Sequence, residues 1–393
     1  MTNKRPAPSK IRVRAGNGPP PSVDGHPGWV ADENAAWGWA ALLTVFALGL
    51  VTGTGAVLSL ARSAAWWVNT LGALAGAMAT WLPVWGVMRS GGERALTYDE
   101  ALRRALGAPA GAALSLAAAA ALLVNAAYLL VVLSGFIRLY MIEQASDARV
   151  ALVALAALGL MLCRRRARGF SRGLQALRFV MCGMLAVSAL LMLLNASTLN
   201  LVPVLGKSVG ETLAAAPFAL GSGAGVAMLG VLPRLTGSAK PPRFRVGCRA
   251  AVAGALLAGA FTLLANLSVA PQGVENAAAG GIRMMLAIEY LPKAQFFRML
   301  YQFVLMLTLL AGAGASLAGC GMLFAGVWRT KKQGGAMLCA CLLCVPVLFC
   351  PDDRLYPVFE RGYALRALAL ALPAWIAWPI LTIAGRKKRH AQR

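Results

Sequence analysis

Histidine is almost missing from this sequence: His26 and His390 are the only two in 393 residues, and both lie in polar terminal stretches. A histidine-based catalytic dyad or metal site is therefore excluded from the body of the chain. Charge is scarce, at 13% of residues, and acid is the scarcer sign, with 14 Asp and Glu against 38 Lys and Arg. Every acidic residue falls between apolar runs or in a tail, which leaves no carboxylate inside a membrane span to shuttle a proton. There is also no P-loop, kinase signature, nucleophile elbow or HExxH motif. No catalytic residue and no cofactor are assigned on this basis.

The 8 cysteines sit in or beside apolar runs, where Cys behaves as a small hydrophobe, so no disulfide framework is implied. Cys339, Cys341 and Cys344 have a spacing open to soft-metal binding. Cys163 and Cys182 show the same residue used as span filler, and no metal site is assigned.

What the sequence has in abundance is apolar length. Hydrophobic residues make up 59% of the chain and cluster into long blocks, so the lipid bilayer is the solvent for most of it. Apolar runs lie at 36–60, 65–88, 109–139, 150–163, 174–194, 213–232, 248–270, 294–328, 335–350 and 364–384. The expected fold is an all-α membrane protein with about ten transmembrane helices. The fourth and ninth runs are short for a bilayer, and Arg149 and Arg164 flank the fourth where they can snorkel to the interface.

The net charge of +24 does not indicate nucleic acid, because the basic residues lie between spans and not on one folded face. Most of the 38 Lys and Arg fall in alternate connections and in the two tails. The positive-inside rule then places both termini in the cytoplasm. Residues 1–35 read as a disordered basic tail without a secretory signal, and 386–393 as a second basic tail. Residues 36–194 and 213–385 form two five-helix repeats joined by an outer connection at 195–212.

Those halves correspond. The first run of each carries a glycine cluster, the third is the longest and the fourth the shortest, the hydropathy signature of a five-plus-five inverted repeat of the LeuT-like kind. The first cluster is Gly49-Leu-Val-Thr52-Gly53-Thr54-Gly55, and the second is Pro217-Phe218-Ala-Leu-Gly221-Ser222-Gly223-Ala-Gly225. Glycine costs about 1 kcal/mol and proline about 3 kcal/mol in a helix interior, so both clusters point to helices broken near mid-depth. Opened backbone there would offer N–H and C=O groups to a small zwitterion. The same glycines also form small-xxx-small pairs suited to close helix packing.

The expected ligand-binding residues are Thr52, Gly53, Thr54 and Gly55 in the first break and Phe218, Gly221, Ser222 and Gly223 in the second. Asn125 and Tyr128 join them from the third span, where a separation of three places both on one helical face. That pair suits either a cavity wall or a helix–helix hydrogen bond. The outer stretch Ile282–Tyr290 is amphipathic and suited to the membrane surface, and Asp352, Asp353 and Glu360 read as a solvated outer loop.

Several short segments carry a family resemblance. Leu199-Asn-Leu-Val-Pro203-Val-Leu-Gly206, Ala216-Pro-Phe218 and Leu232-Pro-Arg-Leu235 resemble the start of the second half of the B subunits of spore germination receptors, the endospore germination permeases. Gly173-Leu-Gln-Ala-Leu177 and Leu291-Pro-Lys-Ala-Gln-Phe-Phe-Arg298 are similar to further parts of that family. The resemblance implies the amino acid-polyamine-organocation transporter superfamily. It also implies a subunit in the spore inner membrane that binds a germinant such as an amino acid, alongside A-type and C-type receptor subunits. A secondary transporter of amino acids or amines in the cell membrane is the alternative. The chain departs from that family at Gly225, Val226 and Leu300, where acidic residues often stand.

Overall fold

A computed structural model describes residues 33–90, 95–140, 146–164, 166–193, 196–201, 206, 208–236, 242–268, 295–330, 333–349, 359 and 362–391. Ten membrane helices follow one another through them. They are α1 (Glu33–Thr52, continuing to Ala61), α2 (Ala65–Arg89), α3 (Ala108–Tyr140), α4 (Asp147–Arg164) and α5 (Arg166–Leu193). Then come α6 (Val209–Gly223, continuing to Thr236), α7 (Phe244–Ser268), α8 (Gln295–Val327), α9 (Gln333–Leu348) and α10 (Tyr363–Ala391).

Eight of the ten are long and apolar enough to cross a membrane. The other two are the short fourth and ninth, with 18 and 16 residues. Each of the ten apolar runs read from the sequence lies within or overlaps one of these helices, in the same order, and α10 continues to Ala391, so most of the expected tail 386–393 is helical. Sequence and structure also differ at the fourth connection: α4 ends at Arg164 and α5 begins at Arg166, so most of the arginine-rich stretch expected as a loop is helical. The tail 1–32, the outer stretch Ile282–Tyr290 and the acidic residues Asp352, Asp353 and Glu360 lie outside the described residues.

Helix ends follow from local chemistry. Ser208 caps α6 by accepting from the Glu211 amide at 3.1 Å. A short surface helix, Tyr98–Leu106, starts with a capping box of Thr97 and Glu100 and stops at Gly107, whose φ of +87° an L side chain would resist. Its apolar face, with Tyr98, Ala101 and Leu102, is buried against the helices.

The packing follows a five-helix shift. Helix α1 lies along α7, α2 lies along α6, and α3 runs beside α8. Shifting each member by five positions around the ten turns the first pair into the second and returns the third to itself. Burial orders the layers. The apolar windows of α1, α6 and α8 are each 78% buried, whereas those of α5 and α10 are 22% buried and form the lipid-facing rim.

Candidate functional site

Both interruptions begin inside the glycine clusters and run on past them. Helix α1 passes through a π-turn at Gly53–Val57, and α6 tightens to 3₁₀ pitch over Ala224–Val231. The chain stays helical through both. The breaks are changes of pitch and not unwound segments, so the expected open backbone is replaced by something more enclosed.

Close packing explains why. A β-carbon on Gly223 would strike the Ala73 carbonyl, and one on Gly76 would strike the Leu220 carbonyl, so α2 and α6 meet backbone to backbone. A β-carbon on Gly53 would collide with the Asn69 amide nitrogen, and one on Gly49 would come within 2.7 Å of the Ala258 methyl. The glycines thus serve the approach of neighbouring helices, the second of the two uses open to them.

Asn69 of α2 fills the notch beside the π-turn. Its Nδ2 donates at 2.9 Å to the Gly49 carbonyl and at 2.9 Å to the Thr262 hydroxyl of α7. Asn69 is fully buried, and its Oδ1 has no hydrogen-bond partner. A buried amide oxygen left unmatched costs about 1–3 kcal/mol. Ser222 approaches the same place, its Oγ lying 3.6 Å from where a Gly49 β-carbon would sit. Thr52 is buried but donates only to its own helix, at 2.7 Å to the Leu48 carbonyl.

A second cluster joins α3, α6 and α10. Tyr128 meets Phe359 at 4.9 Å and Tyr363 edge-on at 5.8 Å, and the same Tyr363 closes over Gly221. Arg366, one turn along α10, stacks its guanidinium on Tyr363 at 4.2 Å and on Phe359 at 5.8 Å, and donates to the Phe359 carbonyl at 2.8 Å. Only 8% of Arg366 is exposed, its Nε has no hydrogen-bond partner, and no carboxylate among the described residues pairs with it. A guanidinium buried among aromatic faces is desolvated and has the donors to hold an anion.

The expected residues are thus divided between two neighbourhoods. Gly53 and Ser222 stand at the Asn69 cluster, and Tyr128 and Gly221 at the Arg366 cluster. Asn125 is buried on α3, Phe218 is half-buried on α6, and Gly55 is half-buried in the π-turn. The side chain of Thr54 lies outside the described residues. Asn69, Phe359, Tyr363 and Arg366 were not among the sequence-based candidates. Arg366 had a visible signal, a cation inside the last apolar run, three residues after a tyrosine.

Near one end of the molecule, Arg234 at the close of α6 grips Asp99 of the surface helix at 3.2 Å and Glu100 at 3.5 Å. The Asp99 side chain is 2% exposed. This buried pair ties the end of α6 to the α2–α3 connection.

Helices of interrupted pitch, packed closely and carrying buried polar clusters, define an all-α membrane protein. No family model matches the sequence, and no curated protein matches it. The fold recurs among solved structures. Crystal structures of a His-to-Ala variant and a Glu-to-Gln variant of the Eremococcus coleocola manganese transporter each match with a TM-score of 0.58 at 14% identity, over 93% of this chain and 87% of that one. The same transporter in complex with an aromatic bis-isothiourea substituted compound matches with a TM-score of 0.56 at 13% identity.

Proposed function

We propose that this chain is a secondary transporter of a small solute bearing a carboxylate, with amino acids as the substrate class. The observation that carries this reading is Arg366, a buried cation beside Tyr128, Tyr363 and Gly221 that has no carboxylate partner among the described residues. A substrate carboxylate would complete the missing ion pair with a bidentate fork, and the unmatched Oδ1 of Asn69 offers an acceptor for a donor group near the α1 interruption. Simple amines fit the Arg366 site poorly because they bring a like charge. Among the described residues no three His, Cys, Asp or Glu side chains group together as a metal site, so manganese is not carried over from the structural neighbours. Both termini are assigned to the cytoplasm on the distribution of basic residues.

The test is uptake and binding of labelled amino acids in proteoliposomes, with and without a sodium gradient. Accumulation is expected, and Arg366→Gln should lower it on the order of 10-fold to 100-fold, the cost of a lost charge-assisted hydrogen bond. Arg366→Lys should recover only part, since an ammonium lacks the planar fork. Unchanged uptake in Arg366→Gln would overturn the assignment of the site.

The resemblance of Leu199–Gly206 and Leu232–Leu235 to germination receptor B subunits supports a second reading, in which the same site senses a germinant without moving it and acts with A-type and C-type subunits in the spore inner membrane. Saturable binding without accumulation favours that reading.

A further inference from the structure

A groove of about 300 Å³ opens between α1, α5 and the start of α7, well apart in sequence from the Arg366 cluster. Its polar lining is Arg178 and Gln175 from α5, Trp39 from α1, and Arg243, Arg245 and Arg249 at the head of α7. Four guanidinium groups therefore converge on one space. No acidic side chain lines it, and none of the four takes part in an ion pair among the described residues.

The arrangement is unfavourable when empty. Arg243, Arg245 and Arg249 stand at the amino-terminal end of α7, where the helix dipole is positive, and no acidic residue occupies the first turn. Mutual repulsion adds to that cost. Two buried polar atoms on the groove wall also lack partners: the Trp39 Nε1, a donor, and the Gln175 Oε1, an acceptor. An anion that also carries a hydroxyl answers all of these features at once. Its charge suits the arginines and the dipole, one of its oxygens accepts from Trp39, and its hydroxyl donates to Gln175.

The surroundings identify where such an anion comes from. On α5, Leu177, Phe179 and Val180 are exposed beside Arg178, with Phe179 at 73%, as expected of a surface against acyl chains. The Arg178 guanidinium lies over the Phe179 ring at 4.5 Å, which places the cation at the edge of that apolar surface. A pocket with arginines at its head and apolar side chains along one flank has the form of a phospholipid.

We infer that this groove binds the phosphodiester headgroup of an anionic phospholipid with a hydroxylated head, of the phosphatidylglycerol kind. The lipid bridges α5 to the α1–α7 pair, whose contact at this level is tight: a β-carbon on Gly38 would come within 2.8 Å of Val246.

The test compares the purified protein in nanodiscs of phosphatidylcholine alone, of phosphatidylcholine with phosphatidylglycerol, and of phosphatidylcholine with inorganic phosphate added. Thermal melting and the number of lipids retained in native mass spectra are read in each. Phosphatidylglycerol should raise the melting temperature and remain bound, whereas inorganic phosphate should do neither. Arg245→Gln/Arg249→Gln should weaken retention on the order of 30-fold, from a roughly fivefold contribution of each arginine. Both side chains are exposed, and melting of the variant in phosphatidylcholine alone checks that it folds. Should it fold poorly, Arg178→Gln on the lipid-facing α5 reads the same site and should also lose retention. Equal retention by wild type and variants would overturn the proposal, and so would full stabilisation by inorganic phosphate, which would make this a free-anion site. Uptake at the Arg366 site plays no part in either readout.

Discussion

Single atoms decide much of this structure. The Gly223 notch admits the Ala73 carbonyl and the Gly53 notch admits the Asn69 amide, whereas nothing lies within 4 Å of a β-carbon on Gly135. Gly223→Ala should therefore lower the melting temperature in detergent, reflecting about 1–3 kcal/mol of overpacking, while Gly135→Ala should leave it level or slightly raised. Equal melting of the two variants would contradict the close α2–α6 contact. Asp99 gives a second residue-scale prediction. Asp99→Asn leaves Arg234 without its main counter-charge in a largely buried setting, a loss of about 3–5 kcal/mol in fully buried pairs and less here because the Arg234 side chain is 22% exposed. A double-mutant cycle with Arg234→Gln should show the two changes to be strongly non-additive. The glycine positions were legible in the sequence because residue type and spacing are local properties. Asn69 was not, because its partner Thr262 lies 193 residues away, and nothing in an apolar run announces which polar residue will meet another helix. Arg366 was legible as an intramembrane cation, but its stacking on Tyr363 and Phe359 is a fact of three dimensions.

At the scale of the element, the main departure from the sequence reading is the character of the interruptions. Clustered glycines and a proline weaken a helix, but whether it unwinds or changes pitch depends on what neighbouring helices offer the freed backbone groups. Here Asn69 supplies a donor to the Gly49 carbonyl just ahead of the π-turn, so the chain needs no ligand to remain helical. A π-turn holds one residue more than the α-turn it replaces, so deleting Thr54 should restore regular α pitch while keeping the flanking segments of α1 in register. Such a variant is expected to insert at wild-type yield and to lose uptake. Unaltered uptake would show that the π-turn has no role in transport. The surface helix Tyr98–Leu106 makes a pH-dependent clamp. The Tyr98 hydroxyl donates to the Leu370 carbonyl of α10 at 3.0 Å, and burial pushes its pKa above the ordinary tyrosine value. A raised pKa means that its contribution to stability is complete below about pH 10, where the unfolded tyrosine is still neutral, and is lost as pH rises beyond that point. Tyr98→Phe should therefore melt with a shallower decline than wild type in alkaline detergent solution, the difference appearing only above that pH.

Across the whole molecule, the order and number of helices were readable because a bilayer imposes a length on each apolar run and charge marks each end. Even the short fourth and ninth spans were visible, since their positions repeat after five helices. In three dimensions α1 lies against α7 and α2 against α6. On the distribution of basic residues, the positive-inside rule predicts which side each connection faces. Orientation therefore has a direct test that is separate from any transport assay. A cysteine placed at Glu275, in the long connection after α7, should react with an impermeant maleimide added outside intact cells in a cysteine-free background. A cysteine at Arg168, near the start of α5, should react only after the membrane is opened. The reverse pattern would turn the molecule over, placing the basic groove at α5 and α7 on the outer face and the Arg234–Asp99 pair with it. Labelling of both positions from outside would mean an even number of crossings between them, in conflict with the three helices α5, α6 and α7 that separate the two connections. Because three crossings must place these positions on opposite sides, this one experiment tests the helix count and the direction of insertion together.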